Sequence, residues 1–359
     1  MSLTIKHLSL STLSPEDEMS IRQVLEESDR ATIFHSIEWN RILSRQSGFE
    51  DIVLLAIQDE RPVGVYVFFV LDSALCYSSL ANMFSIYGGP VVVGEDASVI
   101  TALLRAAESR KPLSIFHIWS PPGGNPASIT RLGYRSREMF KTPLWHLNFT
   151  EEELWSRLDK DKRTKIRKAM REGVTIVHGS SADLDQYQML VNSTLSGAYD
   201  PRSGNPIELL GMNFYKQVME ALEPIGLARL FLASYKGEYI AGSIVLYFKD
   251  TVYAWDIGWR REFANLSSND LLAWTIASHA HALGCHTFDL MVIDPLVQPG
   301  IAKWKMGFGV EVLPCYYHLR VPPFRRILHA GKLALTNFPE LVRRVSASCR
   351  ELADRKALK

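Results

Sequence analysis

Hydrophobic and polar positions change period several times along the chain, and each change marks an element. Residues 4–8 alternate and predict a first strand. Ser14-Pro15-Glu16-Asp17 then reads as a helix entry, with a hydroxyl cap, proline at the first helical position and acids at the positive end of the dipole. A second helix runs through Glu38, Trp39 and Ile42. Two β-rich runs, 52–58 and 63–70, flank Asp59-Glu60-Arg61-Pro62 and predict a hairpin. A third strand near 74–78, a loop with Gly88-Gly89-Pro90, a helix over about 97–109 and a buried strand at 113–118 follow. The half closes with Leu132-Gly133-Tyr134 and two strands ending at Leu147.

Thr150-Glu151-Glu152-Glu153 opens a second half with a capping box, in which Thr150 and Glu153 each reach the other's free backbone N–H. A basic helix follows and stops at Gly173, a strand occupies 174–178, and helices occupy about 182–195 and 212–222. From Lys236 to Leu319 the pattern gives strands broken by tight polar turns, a helix, a short strand, a short helix and a last hairpin. The order of the first half is repeated. Glu60 to Val67 (ERPVGVYV) parallels Glu238 to Val245 (EYIAGSIV), and Leu132-Gly133-Tyr134 parallels Met306-Gly307-Phe308. The matched glycines are 69 residues apart in one half, Gly64 to Gly133, and 65 in the other, Gly242 to Gly307. The pattern therefore predicts a duplicated α/β (α+β) protein, with domains at 1–149 and 150–321 and a basic amphipathic helical tail at 322–359.

Composition narrows the class. With 47% apolar and 22% charged residues among 359, the chain is globular and long enough for two cores. The longest apolar run, 63–71, is about half of what a bilayer span needs, and no charged start precedes an apolar block, so a cytoplasmic location is expected. Cys76, Cys285, Cys315 and Cys349 form no close pair, which argues against a disulfide framework or a cysteine zinc site. The net charge of +1 hides two basic segments. Residues 155–171 carry eight Lys or Arg against two Asp, and 322–359 carry nine against three acids. Clustered cations on an otherwise acidic body suit an anionic partner, and they equally suit two solvated helix faces. Lys165, Arg167 and Lys168 are the nucleic-acid candidates, and the tail is a candidate for peripheral membrane contact or for packing on its own domain.

Three stretches resemble a known family: Phe34-His35-Ser36-Ile37-Glu38-Trp39, then Leu154 to Ile176 (LW, then IRKA and GVTI), and Lys303-Trp304-Lys305-Met306-Gly307-Phe308-Gly309. In that order they resemble the FemABX non-ribosomal aminoacyl transferases and their FemAB-like GNAT relatives, over about residues 34–319. The resemblance implies two tandem GNAT-like domains, each a mixed, mostly antiparallel sheet flanked by helices, with the working groove in the second. It implies transfer of amino acids from charged tRNA to the peptide side chain of cell-wall (peptidoglycan) precursors. It also implies a functional role for Lys305 beside Trp304, and for Arg202 a place where family members meet the acceptor's phosphates. Best-known members carry a lysine four residues after the tryptophan of the first motif; this chain has Leu43.

Acyl transfer to an amine needs the reactants held together, a proton removed and charge on the carbonyl oxygen stabilised, with no covalent nucleophile. The sequence has no G-x-S-x-G elbow. Lys305 is the candidate for stabilising the oxyanion, and Asp256, among aromatic residues, for the base. Tyr199 and Arg202 form a polar loop, Trp304 and Phe308 flank the lysine, and Ser268 and Asn269 stand at a helix start able to meet an anion. These six are the substrate-binding candidates. The segment before that helix, RREFANLSSN, has no glycine to curl around a pyrophosphate. His279 and His281 point roughly 200° apart on a helix at about 100° per residue, so no metal is expected. The expected function is aminoacyl or acyl transfer to a small-molecule or peptide-like amine, with aminoacyl-tRNA or acyl-CoA as donor and no certain cofactor. The alternatives are a CoA-dependent GNAT N-acyltransferase and a non-catalytic module for RNA or membrane surfaces.

Overall fold

A computed structural model describes residues 2–47, 49–73, 76–80, 87–112, 114–198, 206–296 and 298–322. The chain divides into two compact units. Unit one is built from Met1–Met139, Asp200–Gly211 and Pro314–Lys359, and unit two from Phe140–Tyr199 and Met212–Leu313.

Unit one starts with β1 (Leu3–Leu8), α1 (Pro15–Glu27), α2 (Ile37–Ser47), β2 (Glu50–Gln58), β3 (Arg61–Ser73), β4 (Cys76–Leu80) and β5 (Val91–Val92). It continues with α3 (Ala97–Arg110), β6 (Ile115–Trp119) and α4 (Ala127–Thr130), after which β7 (Arg135–His146) leads into unit two. Ser14 caps α1 by accepting from the N–H of Asp17, as the entry motif predicts. Strands β1 to β4 form an antiparallel meander, and α3 carries the chain back so that β6 lies parallel to β4.

Unit two repeats the plan. Its helices α5 (Glu151–Arg157) and α6 (Lys160–Arg171) precede β8 (Thr175–Gly179), α7 (Leu184–Ala198) and α8 (Pro206–Leu222). Then come β9 (Ala228–Tyr235), β10 (Glu238–Phe248), β11 (Thr251–Trp259), α9 (Ser268–Ala282), β12 (Thr287–Asp289), α10 (Pro299–Met306) and β13 (Glu311–Arg320). Strands β8 to β11 are the antiparallel meander, and α9 returns the chain so that β12 lies parallel to β11. The Thr150–Glu153 capping box is present at α5. Tight hairpins are closed by residues at positive φ: Asp59 (47°) with Glu60 (67°), Lys236 (52°) with Gly237 (84°), and Lys249 (52°).

The closing strands are exchanged. In unit one β6 pairs antiparallel with the end of β13, Tyr317–Arg320, while in unit two β12 pairs antiparallel with the end of β7, Leu144–His146. Each closing strand is thus the one that follows the other copy's last parallel strand in sequence. The units consequently differ from the boundaries expected at 149/150 and 321/322: β7 and β13 each pass from one unit to the other. The two strands expected to end at Leu147 are one, β7, and the expected last hairpin is the single strand β13. The tail from residue 323, like Tyr199 and Arg202, lies outside the described residues.

Each unit has its own core. In unit one Tyr66, Phe68, Phe116 and Ile118 on the sheet pack against Val99, Leu103 and Leu104 of α3. In unit two Trp145 stacks on Phe308 at 4.8 Å and lies by Phe288 and Trp274 at 6.2 Å, a contiguous aromatic block of the kind that dominates core energetics. Helix α7 approaches β10 and β11 over two paired glycines: a Cβ on Gly258 would lie 2.5 Å from the backbone nitrogen of Val191, so no other residue fits there. Among the described residues no helix is long and apolar enough to cross a membrane.

Candidate active site in unit two

Parallel strands β11 and β12 pair only over Thr251–Tyr253 and Thr287–Asp289. Beyond Asp289 they part, and from Ala254 onward β11 has β10 as its partner on one edge only. The chain after β12 stays beside β7: Leu290 donates to the Pro143 carbonyl at 3.1 Å, and Lys141 and Ile293 exchange bonds at 3.2 and 2.7 Å. Between them Met291 takes a left-handed conformation, φ 59°, which is costly for a non-glycine residue. Two side chains hold this bulge. The Asp289 carboxylate accepts from the Met291 N–H at 2.7 Å, and Lys305 donates to the carbonyls of Met291 and Val292 at 3.2 and 3.1 Å.

Burial pushes the Lys305 ammonium down to about 8, against the attraction of the Asp289 charge. It is therefore mostly protonated at neutral pH. An ammonium has three donors, and the two carbonyls take two. The third is not used by either carbonyl. Strained backbone and lysines moved toward neutral pH both tend to cluster at functional sites, which makes this bulge a candidate.

Asp256 stands on β11 within the part that has left β12. Its Oδ2 accepts from the Tyr215 and Tyr187 hydroxyls at 2.7 and 2.9 Å. Burial pushes its pKa up, and the two tyrosine hydrogen bonds oppose that shift by favouring the carboxylate. The tyrosines, one from α8 and one from α7, fix the carboxylate's orientation and keep it out of bulk water.

The other candidates disperse. Phe308 is fully buried in the aromatic block, where no substrate reaches it. Trp304 donates its indole N–H to Asp270 at 3.1 Å and lies with Phe308 against Lys162, whose ammonium is 4.5 Å from one ring centroid and 4.2 Å from the other. Both residues support α10 rather than meet a ligand. Ser268 is buried, 4% exposed, in the first turn of α9, and the residue at the helix start, Ser267, is left-handed and caps nothing with its side chain. Asn269 is half-buried there, with its side-chain carbonyl unpartnered. On the basic helix Lys165 pairs with Asp161 at 2.7 Å, Arg167 lies over Trp155 at 5.2 Å, and Lys168 is half-buried. The histidines of the metal decoy diverge: His281 is bonded to the Leu147 carbonyl, His286 to Asp250, and His279 to Arg229.

Sequence reasoning missed the buried pair Lys162–Asp270, 2.6 Å apart with side chains 4% and 7% exposed. Lys162 comes from α6, and burial pushes it down to about 8 although Asp270 pulls it up. Its signal was present: positions 162, 166 and 169 form one helical face, and Ile166 and Ala169 are buried with it. Asp289, Met291, Tyr187 and Tyr215 were also missed. Of these only Asp289, at the end of a parallel strand, stands where ligands are expected in α/β sheets.

The comparisons agree with this geometry. Residues 156–306 match the family model of the acetyltransferase (GNAT) domain. Among solved structures, FemX superposes with a TM-score of 0.71 at 12% identity, over 90% of this chain and 99% of that one. L-PGS from Bacillus licheniformis gives 0.55 at 13%, over 94% and 97%, and a tandem GNAT protein from the clavulanic acid biosynthesis pathway gives 0.53 at 15%, over 88% and 98%. No curated protein matches the chain. The fold is a tandem GNAT pair with the FemX architecture, and residues 156–306 carry an acetyltransferase (GNAT) domain.

Proposed function

We propose that this chain transfers an aminoacyl or acyl group to an amine acceptor of cell-wall or cell-surface type, in the opening between β11 and β12 of unit two. The observation that carries this reading is Lys305, anchored to a strained bulge by two carbonyls with one N–H left. In the reaction the acceptor nitrogen attacks the donor carbonyl, a C–N bond forms, and the ester C–O or thioester C–S bond breaks. Lys305 donates to the oxygen that becomes negative, and Asp256 takes the proton lost by the amine and returns one to the leaving oxygen or sulfur. Arg202 and Tyr199 are proposed as acceptor contacts on the family resemblance alone.

The test is turnover of a panel of charged tRNAs and acyl-CoAs with amine acceptors. Lys305→Ala should lower kcat/KM by about 100-fold or more, as loss of one oxyanion donor does. For the parent enzyme the rate should fall as pH rises through about 8, where the ammonium loses its proton. A Lys305→Ala enzyme with unchanged turnover sinks the assignment.

A CoA donor is the second reading, favoured by the acetyltransferase domain match. Against it, the segment before α9 is a glycine-free 3-10 turn, Arg261–Leu266, which offers little room for a pyrophosphate. A clear rise in Tm with acetyl-CoA would reverse the ranking.

A further inference from the structure

Unit one contains a cavity of about 330 Å³ between the last turns of α3, the start of β6 and the end of β13, with Arg105, Glu108, Ser114, Phe116, Arg320 and Pro322 in its wall. That volume is at the lower end for small-molecule sites. Glu108 stands between two guanidiniums: it accepts from Arg105 at 2.9 Å and from Arg320 at 2.5 Å, and Arg320 also donates to the Leu132 carbonyl at 3.0 Å. The Ser114 hydroxyl is buried, the residue being 1% exposed, and has no hydrogen-bond partner.

Unpartnered buried hydroxyls are uncommon, because each costs about 1–3 kcal/mol. The one in the wall of this cavity, Ser114, points to a missing occupant. The polarity of the wall says which kind. The Ser114 hydroxyl can donate, while the carboxylate of Glu108 is already taken by two guanidiniums, so the cluster carries a net positive charge. The carbonyl end of α3 disfavours an anion by roughly 0.3–1 kcal/mol, less than a charge-assisted bond to an arginine contributes.

We propose that this cavity is a second ligand site, for a small oxyanion-bearing molecule whose phosphate or carboxylate oxygens accept from Ser114 and from the free donors of Arg105. It lies in unit one, whereas Lys305 and Asp256 belong to unit two, and it does not depend on the reading of unit two.

The full chain is titrated with inorganic phosphate and, separately, with succinate, by calorimetry and thermal denaturation at ionic strength held constant with chloride. One or both should saturate at one site per chain and raise Tm. A preference for phosphate marks a phosphoryl ligand and a preference for succinate a carboxylate, and either supports the site. Ser114→Ala and Arg105→Gln should each weaken binding at least tenfold, Arg105→Lys should restore part of it, and Lys305→Ala should change nothing. The proposal is overturned if neither probe saturates. It is equally overturned if Ser114→Ala and Arg105→Gln bind as the parent does, which is the signature of an adventitious ion only.

Discussion

The two units share one strand plan and bury opposite chemistry. Unit one buries histidines kept neutral: desolvation pushes His35, His117 and His318 each down to about 4. Unit two holds cations largely out of water: Lys162 is buried and Lys305 half-buried, and both stay charged at neutral pH, although desolvation pushes each down to about 8. A buried neutral ring costs little once its nitrogens are bonded, as those of His318 are by Ser120 and Ser136, at 2.7 Å each. A buried ammonium costs much more and persists where something is gained from it. Lys162 secures α10 against α9, and Lys305, on that same α10, pins the bulge where the strands part. The copy that bears the cost of buried charge is the copy matched by the acetyltransferase model.

Acid should separate the units most. Below about 6.5 the unfolded histidines bind protons, while the folded ones do so only near 4, so stability falls as pH drops through that window. Each contributes up to about 1.4 kcal/mol per pH unit, and three together up to roughly 4. The lysines act in the same direction at the other end of the scale. Between about 8 and 10.5 the unfolded lysines hold protons that the folded ones have lost, so raising the pH there stabilises unit two. Hydrogen exchange followed from pH 7 to 4.5 should show β6 and the end of β13 losing protection before β9 to β11. The reverse order would break the comparison.

Next in size is the Lys162–Asp270 pair. Asp270→Ala leaves a buried ammonium uncompensated and should cost about 3–5 kcal/mol. That lowers Tm by on the order of 10 °C. The apolar double variant Lys162→Met with Asp270→Leu should recover most of the loss. If it does not, the pair itself stabilises unit two, contrary to the view that it costs energy to keep.

The repeated Leu-Gly-Tyr and Met-Gly-Phe motifs give a finer test, because their glycines are needed for different reasons. Gly133 has φ +88° and nothing within 4 Å of an added Cβ, so alanine is strained there by backbone alone, about 1 kcal/mol. Gly307 has an ordinary helical φ of −67°, but its Cβ would lie 2.8 Å from Cε of Lys162. Overpacking of that kind costs about 1–3 kcal/mol. Only Gly307→Ala should become milder in a Lys162→Met background, as a double-mutant cycle by thermal unfolding would show.

The sequence carried the element order, the capping at Ser14 and Thr150, and the duplication, because these rest on local period and turn chemistry. The strand exchange was not legible. Nothing local in β7 distinguishes pairing with β6 from pairing with β12. At the candidate site the motif points to Lys305, while the carbonyls that hold it belong to Met291 and Val292, whose roles are set by backbone conformation and not by side-chain type. Trp304 and Phe308 look alike in sequence whether they face a ligand or a buried lysine, and only the packing decides.

The basic helix α6 sharpens the comparison at the smallest energetic scale, for unit one has no described helix of similar charge. Its inward lysine, Lys162, is structural, so any polyanion must be met by its outward residues. Lys165 is tied to Asp161 as an exposed i,i+4 pair, worth roughly 0.3–0.5 kcal/mol, and Arg167 rests on Trp155. Changing Lys165, Arg167 and Lys168 together to glutamine should therefore alter stability by no more than about 1 kcal/mol. If the donor is a charged tRNA, the same variant should bind it more weakly and lower the slope of log K against log salt by about 2 to 3, since each lost phosphate contact removes roughly 0.7–0.9. If the donor is an acyl-CoA, KM for the donor should stay within about twofold. A stable triple variant with unchanged tRNA affinity and unchanged salt slope would leave α6 as a solvated face, and would move the donor assignment toward the thioester.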